Sequence, residues 1–114
     1  MRYACLIVFF ITAVGGVFAS RTKGETVIAN ARSAAELYSK NCASCHGRDG
    51  RSKTFKAKLN HARNLQDAEW QERVSDERIF NSIMNGKGKM PAYGKKFSEQ
   101  EIDALVGYVR GLRK

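Results

Sequence analysis

A chain of 114 residues with no interior break in composition fits one domain, since domains usually run about 100 to 150 residues. A core this small leaves much of the surface in water, so a bulky apolar group at its centre would add packing that the side chains alone supply poorly. The formal charge of +9 invites a nucleic-acid reading, but no basic run is interleaved with aromatics; no nucleic acid is expected, and an acidic protein or an anionic membrane surface suits the charge better.

Residues 1–19 read as a secretory signal, with Arg2 ahead of an apolar run from Ala4 to Phe18 and the small-residue ending Val17-Phe18-Ala19 before Ser20. The run is interrupted by Gly15-Gly16 and falls short of the roughly 20 apolar residues that span a bilayer. Cleavage after Ala19 would remove Arg2 and Cys5, leaving a charge of +8 and a single cysteine pair, Cys42 and Cys45, in an exported, periplasmic chain. Residues 20–32 form a polar arm, and 33–114 form the domain.

Helix signals begin at Ser33-Ala34-Ala35-Glu36, a capping box in which Ser and Glu satisfy each other's amides. That helix is expected to run to about Ala43, with Leu37 and Tyr38 on its apolar side. From Ser44 to Gln66 the chain reads as a long surface loop, of a length usually reserved for wrapping something. Asp67 caps a short helical turn carrying Trp70. Ser75 opens a helix with Ile79, Phe80 and Ile83 on one side and a stop at Gly86. Residues 86–97 make a second loop around Pro91. The capping box at Ser98 and Glu101 then starts a final helix whose apolar positions Ile102, Leu105, Val106, Val109 and Leu112 recur at three- and four-residue steps. No convincing strand alternation or internal repeat is present. The expected fold is all-α, with three main helices and a short one.

The chemistry is concentrated in Cys42-Ala43-Ser44-Cys45-His46. A lone disulfide between these cysteines would close a loop too short to stabilise much. At a helix end, positions i, i+3 and i+4 share one face. Two thiols there can add to the two vinyl groups of one porphyrin edge while the imidazole reaches the iron, which is the haem c attachment pattern. A chance match is on the order of one in a few thousand for a chain this long. A thioredoxin-like pair would need a strand-helix alternation, and a zinc site would need four ligands where only His61 remains to supplement the motif.

From Ala34 to Leu112 the chain resembles the small bacterial mono-haem branch of the class I c-type cytochromes. The resemblance rests on Cys-Ala-Ser-Cys-His-Gly at 42–47, Gly-Lys-Met-Pro-Ala-Tyr at 88–93 and the helix ending Gly-Tyr-Val-Arg-Gly-Leu at 107–112. It implies the cytochrome c fold, one covalent haem c with its iron, and axial ligation by His46 and Met90. Met90 sits in a loop rich in Gly and Lys and has no core face to fill, whereas Met84 lies on a helix and reads as packing. His61, in a polar loop beside Asn60 and Arg63, reads as solvent-exposed. The family's close crossing of first and last helices corresponds here to Ala34 and Tyr108. Its usual proline carbonyl, which accepts the hydrogen bond of the proximal imidazole, has no counterpart, so a backbone carbonyl around Lys58 to Asn60 is expected in that role. Trp70, Tyr93 and Phe97 fit either the porphyrin surroundings or the ordinary core.

A His/Met pair raises the reduction potential and leaves the iron no open position. The expected role is therefore a non-enzymatic, monomeric electron carrier of the periplasm. Lys87, Lys89, Lys95 and Lys96, with Arg48, Arg51, Lys53, Lys56 and Lys58, would form a positive collar steering acidic redox partners, both donor and acceptor. The rival readings are a cytochrome c subunit held in a larger membrane redox complex, and a haem enzyme or gas sensor with an open iron.

Overall fold

The structure, a computed structural model, describes residues 32–114. The expected leader and the arm up to residue 31 lie outside the described residues. Six helices follow one another: α1 (Ala34–Asn41), α2 (Ala43–His46), α3 (Phe55–Asn60), α4 (Ala68–Arg73), α5 (Asp76–Asn85) and α6 (Glu99–Gly111). Among the described residues there is no strand, only an isolated pairing of Lys87 with Met90. None of these helices is long and apolar enough to cross a membrane.

The core forms where α1 and α5 pack against α6. Ile102, Leu105, Val106 and Val109 of α6 meet Leu37 and Tyr38 of α1, Ile79 and Ile83 of α5, and Leu65 and Phe97 from the loops. Each such aliphatic side chain contributes about 1.5 to 3 kcal/mol relative to exposure. Gln71 is buried among them and fully occupied: its amide nitrogen donates to Leu65 O (2.9 Å) and Val109 O (2.8 Å), and its oxygen accepts from Arg110 (3.0 Å). The same Arg110 guanidinium donates to Val74 O (2.6 Å) and Asp76 (2.6 Å), which fixes the α4–α5 corner on α6. A buried amide is costly unless its donors and acceptor are all used, and here they are.

The helix starts follow the local signals closely. Asp67, Ser75 and Ser98 each accept a hydrogen bond from the amide three residues on, and Ser98 with Glu101 forms the full reciprocal box. The first box is only half made. Ser33 caps the Glu36 amide at 3.2 Å, but the Glu36 carboxylate pairs with Lys40 at 2.6 Å instead. Arg32, the end of the expected arm, is anchored by its bonds to Glu101 (2.9 and 3.1 Å), with its guanidinium 5.4 Å from the Phe97 ring centre. That pairing holds the Glu101 carboxyl below its ordinary range.

Two expectations need correction. The stretch from Ser44 to Gln66 is not all loop, because Thr54 caps α3 by accepting from the Ala57 amide at 2.9 Å. There are accordingly three short helices rather than one. The signal was faint because α3 buries only Ala57 and leaves Phe55 and Leu59 exposed, so no apolar stripe marks it.

Candidate haem-attachment site

Helical backbone carries the attachment motif. The Cys42 amide donates to Tyr38 O (2.9 Å) and the His46 amide to Cys42 O (2.9 Å), so the chain keeps its helical course from α1 through Cys42 into α2. Cys42, Cys45 and His46 therefore hold the expected i, i+3, i+4 relation. Both thiols are free and half-buried. Burial, with a smaller contribution from Cys45, pushes the Cys42 thiol up to about 11. Below the motif, the buried Tyr38 hydroxyl donates to Gly47 O at 2.8 Å, and its ring lies 4.8 Å from that of Tyr108. Desolvation raises the Tyr38 phenol, which stays a neutral donor. The first and last helices thus meet through paired tyrosines just beneath the motif.

His46 is oriented from behind. Its Nδ1 lies 2.9 Å from Arg63 O, and because a carbonyl only accepts, Nδ1 carries the proton and Nε2 keeps its lone pair. Burial lowers the His46 pKa, partly opposed by the bond to Arg63, which favours the neutral, ligating imidazole. The carbonyl expected near Lys58 to Asn60 is therefore that of Arg63. Those residues belong to α3 and its end, and the chain returns toward His46 only after α3 has closed at His61. His61 is exposed, in a left-handed conformation with φ +54°. α3 is itself fastened to the motif, since the Thr54 hydroxyl lies 3.2 Å from Ser44 O and 3.1 Å from Cys45 O. This dual use of Thr54, as cap and as fastener, was missed by sequence reasoning.

The second loop is built around Met90. Lys87 and Met90 exchange backbone hydrogen bonds (3.1 and 2.9 Å), making a tight turn through Gly88. Tyr93 and Gly94 donate their amides to Ile83 O and Met84 O, both at 2.9 Å, and so close the end of α5. Met90 is half-buried against the core cluster, so it has more packing than a loop position implied. Met84 also packs there and lies against Gly94, in keeping with a packing role. The loop is strapped to both earlier helices. The Tyr93 hydroxyl donates to Asn41 O (3.0 Å), Lys96 to the Asn41 side chain (2.6 Å), and Lys89 to Leu59 O near the end of α3 (2.8 Å). Tyr93 stacks on the buried Phe97 with centroids 5.0 Å apart, and Trp70 packs at the edge of the core.

These residues fit a covalent haem. The two thiols are unbridged, the imidazole presents a lone pair fixed by its own backbone acceptor, and no group of three or more His, Cys, Asp or Glu among the described residues offers a rival metal site.

Comparison with known proteins agrees. The family model described as "Cytochrome C oxidase, cbb3-type, subunit III" matches residues 29–109. The cbb3-type cytochrome c oxidase subunit FixP of Azorhizobium caulinodans is 36% identical over 83 residues, 72% of this chain but 27% of FixP. The chain thus spans about a quarter of that relative's length. Cytochrome c6 of Bryopsis maxima is 33% identical over 75 residues, which are 66% of this chain and 83% of that protein. Among solved structures, the KustC0563 c-type cytochrome superposes with a TM-score of 0.67 at 39% identity, over 73% of this chain and 100% of that one. On the family match, the cytochrome c6 likeness and the shared fold, the chain belongs to the class I c-type cytochromes, and it is a haem c electron carrier.

Proposed function

We propose that this cytochrome is an exported, soluble shuttle of the periplasm, attached to haem through Cys42 and Cys45 and ligated axially by His46 and Met90. When bound, the haem supplies one-electron exchange at its iron. The chain's residues hold the imidazole proton on Nδ1 and present the Met90 turn. The observation that carries the reading is the strapping of the Met90 loop to Asn41, directly before the attachment motif. That tether supports Met90, rather than an open position, as the second axial group.

Detergent-free fractionation followed by spectra of the holoprotein in both oxidation states, with and without carbon monoxide, tests this. The shuttle predicts release into the soluble fraction, a low-spin haem, a weak long-wavelength ferric band from sulfur ligation, and little carbon monoxide uptake. Recovery in membranes with an intact leader would favour the rival suggested by the FixP likeness, a subunit held in a larger redox complex. Ready carbon monoxide binding would favour an enzyme or sensor.

The proposed partners are acidic redox proteins. Around the motif and the Met90 turn, 42–63 and 86–97 carry Arg48, Arg51, Lys53, Lys56, Lys58, Arg63, Lys87, Lys89, Lys95 and Lys96 against Asp49 alone. In contrast, 64–85 and 98–114 hold most of the acidic residues of the domain. Lys53, Lys56, Lys58, Lys87 and Lys95 are exposed and make no ion pair among the described residues. Such a polarised charge steers association and is screened by salt. Electron exchange with a carboxylate-coated electrode should accordingly slow by about tenfold or more as salt rises from low to molar levels. A salt-independent rate would sink the collar.

A further inference from the structure

Ser52 occupies a position that its backbone makes awkward. Its φ is +56°, a left-handed conformation that among the described non-glycine residues only His61 shares. Left-handed backbone costs an ordinary side chain roughly 1 to 2 kcal/mol, and such costs persist where surrounding structure overrides them. Here the override is visible. The Ser52 amide donates to His46 O at 2.8 Å, and its hydroxyl donates to Arg63 O at 2.5 Å. Arg63 O is the same carbonyl that accepts the proton of His46 Nδ1 at 2.9 Å. The direct separation of the Ser52 hydroxyl from Nδ1, 3.5 Å, is too long for a bond of much weight, so the two groups meet through the shared acceptor.

We infer that Ser52 is a positioning residue that tunes His46 by competing for the Arg63 carbonyl. A carbonyl oxygen has two lone pairs and can take both donors, but each donor draws electron density from the oxygen and weakens it as acceptor for the other. The outer partner of a ligating histidine sets how basic the imidazole is toward the metal. With the Ser52 hydroxyl in place, the Nδ1 proton is held less strongly and the imidazole is a weaker donor through Nε2, which favours the reduced form. This role of Ser52 rests on the axial role of His46 proposed above.

The test uses the holoprotein and two variants, Ser52→Ala and Ser52→Gly. Both remove the hydroxyl, whereas only glycine also relieves the left-handed backbone, so the pair keeps the test sound if alanine folds poorly. Two readouts are taken: the reduction potential, and the Nδ1 proton resonance of the reduced, diamagnetic protein. The inference expects both variants to lower the potential by about the same amount, on the order of a threefold shift in the oxidised-to-reduced ratio, or about 28 mV at 59 mV per decade. The Nδ1 resonance should move downfield in both. Unchanged potential and resonance would overturn the inference, as would a shift in the alanine variant alone, which would point to backbone strain. Spectra of the unaltered protein separate this outcome from failure of the underlying ligation, because loss of His46 ligation would show there before any variant is made.

Discussion

Replacing Met90 by alanine is expected to abolish the long-wavelength band of the ferric protein, lower the reduction potential by roughly 0.1 V and admit carbon monoxide to the reduced iron. The size follows from the loss of the soft thioether that favours ferrous iron, set against the ~0.8 V that axial ligands can span. At 59 mV per decade, such a fall moves the oxidised-to-reduced ratio by well over tenfold. Fold stability should suffer less than the ligand sphere. Met90 is only half-buried, and the turn that carries it is made by backbone bonds between Lys87 and Met90 that alanine retains. Redox titration with spectral readout decides the matter. An unchanged band would transfer the sixth position to another residue, His61 included.

Gly86→Ala should reach nearly the same end without touching the proposed ligand. Gly86 has φ +74° and ψ +168°, a region open essentially to glycine alone. A Cβ there would lie 2.6 Å from Met90 O, 2.9 Å from the Ala92 amide nitrogen and 3.0 Å from the Pro91 carbonyl carbon. All three are backbone atoms of the Met90 turn, so none can swing aside as a flexible side chain would. The expected cost is about 2 to 4 kcal/mol, combining the unfavourable dihedral with the clash. Thermal unfolding would register that loss. A weakened sulfur band in a protein that still contains Met90 would show that the loop, rather than the sulfur alone, holds the iron's second face. A variant with an intact band and an unchanged melting temperature would refute this account of the turn.

What could be read from the chain follows the range of each interaction. The attachment motif and the caps at Ser33, Asp67, Ser75 and Ser98 are local, with partners within four residues, and all were legible. α6 was legible as well, because Ile102, Leu105, Val106 and Val109 repeat with the period of a helix. α3 was not, since its single buried residue leaves no pattern to detect. The acceptor behind His46 escaped for a different reason. It is a main-chain oxygen 17 residues away, and a carbonyl carries no residue identity. Only the path of the chain through α3 brings Arg63 there. Thr54 and Ser52 were hidden in the same way, as small polar residues whose roles depend on where the loop returns.

Asn41 links the two halves of this arrangement. It takes hydrogen bonds from Tyr93 and Lys96 while its own side chain donates to Leu37 O at 2.9 Å, and the next residue is the first attachment cysteine. The platforms beneath the two proposed ligands therefore share one fixed point and cannot drift apart independently. A surrounding frame that is already set needs little rearrangement when charge arrives or leaves. Low reorganisation of this kind allows electron exchange to be fast in both directions, so a carrier built this way can be filled and emptied by different partners without reshaping itself for either.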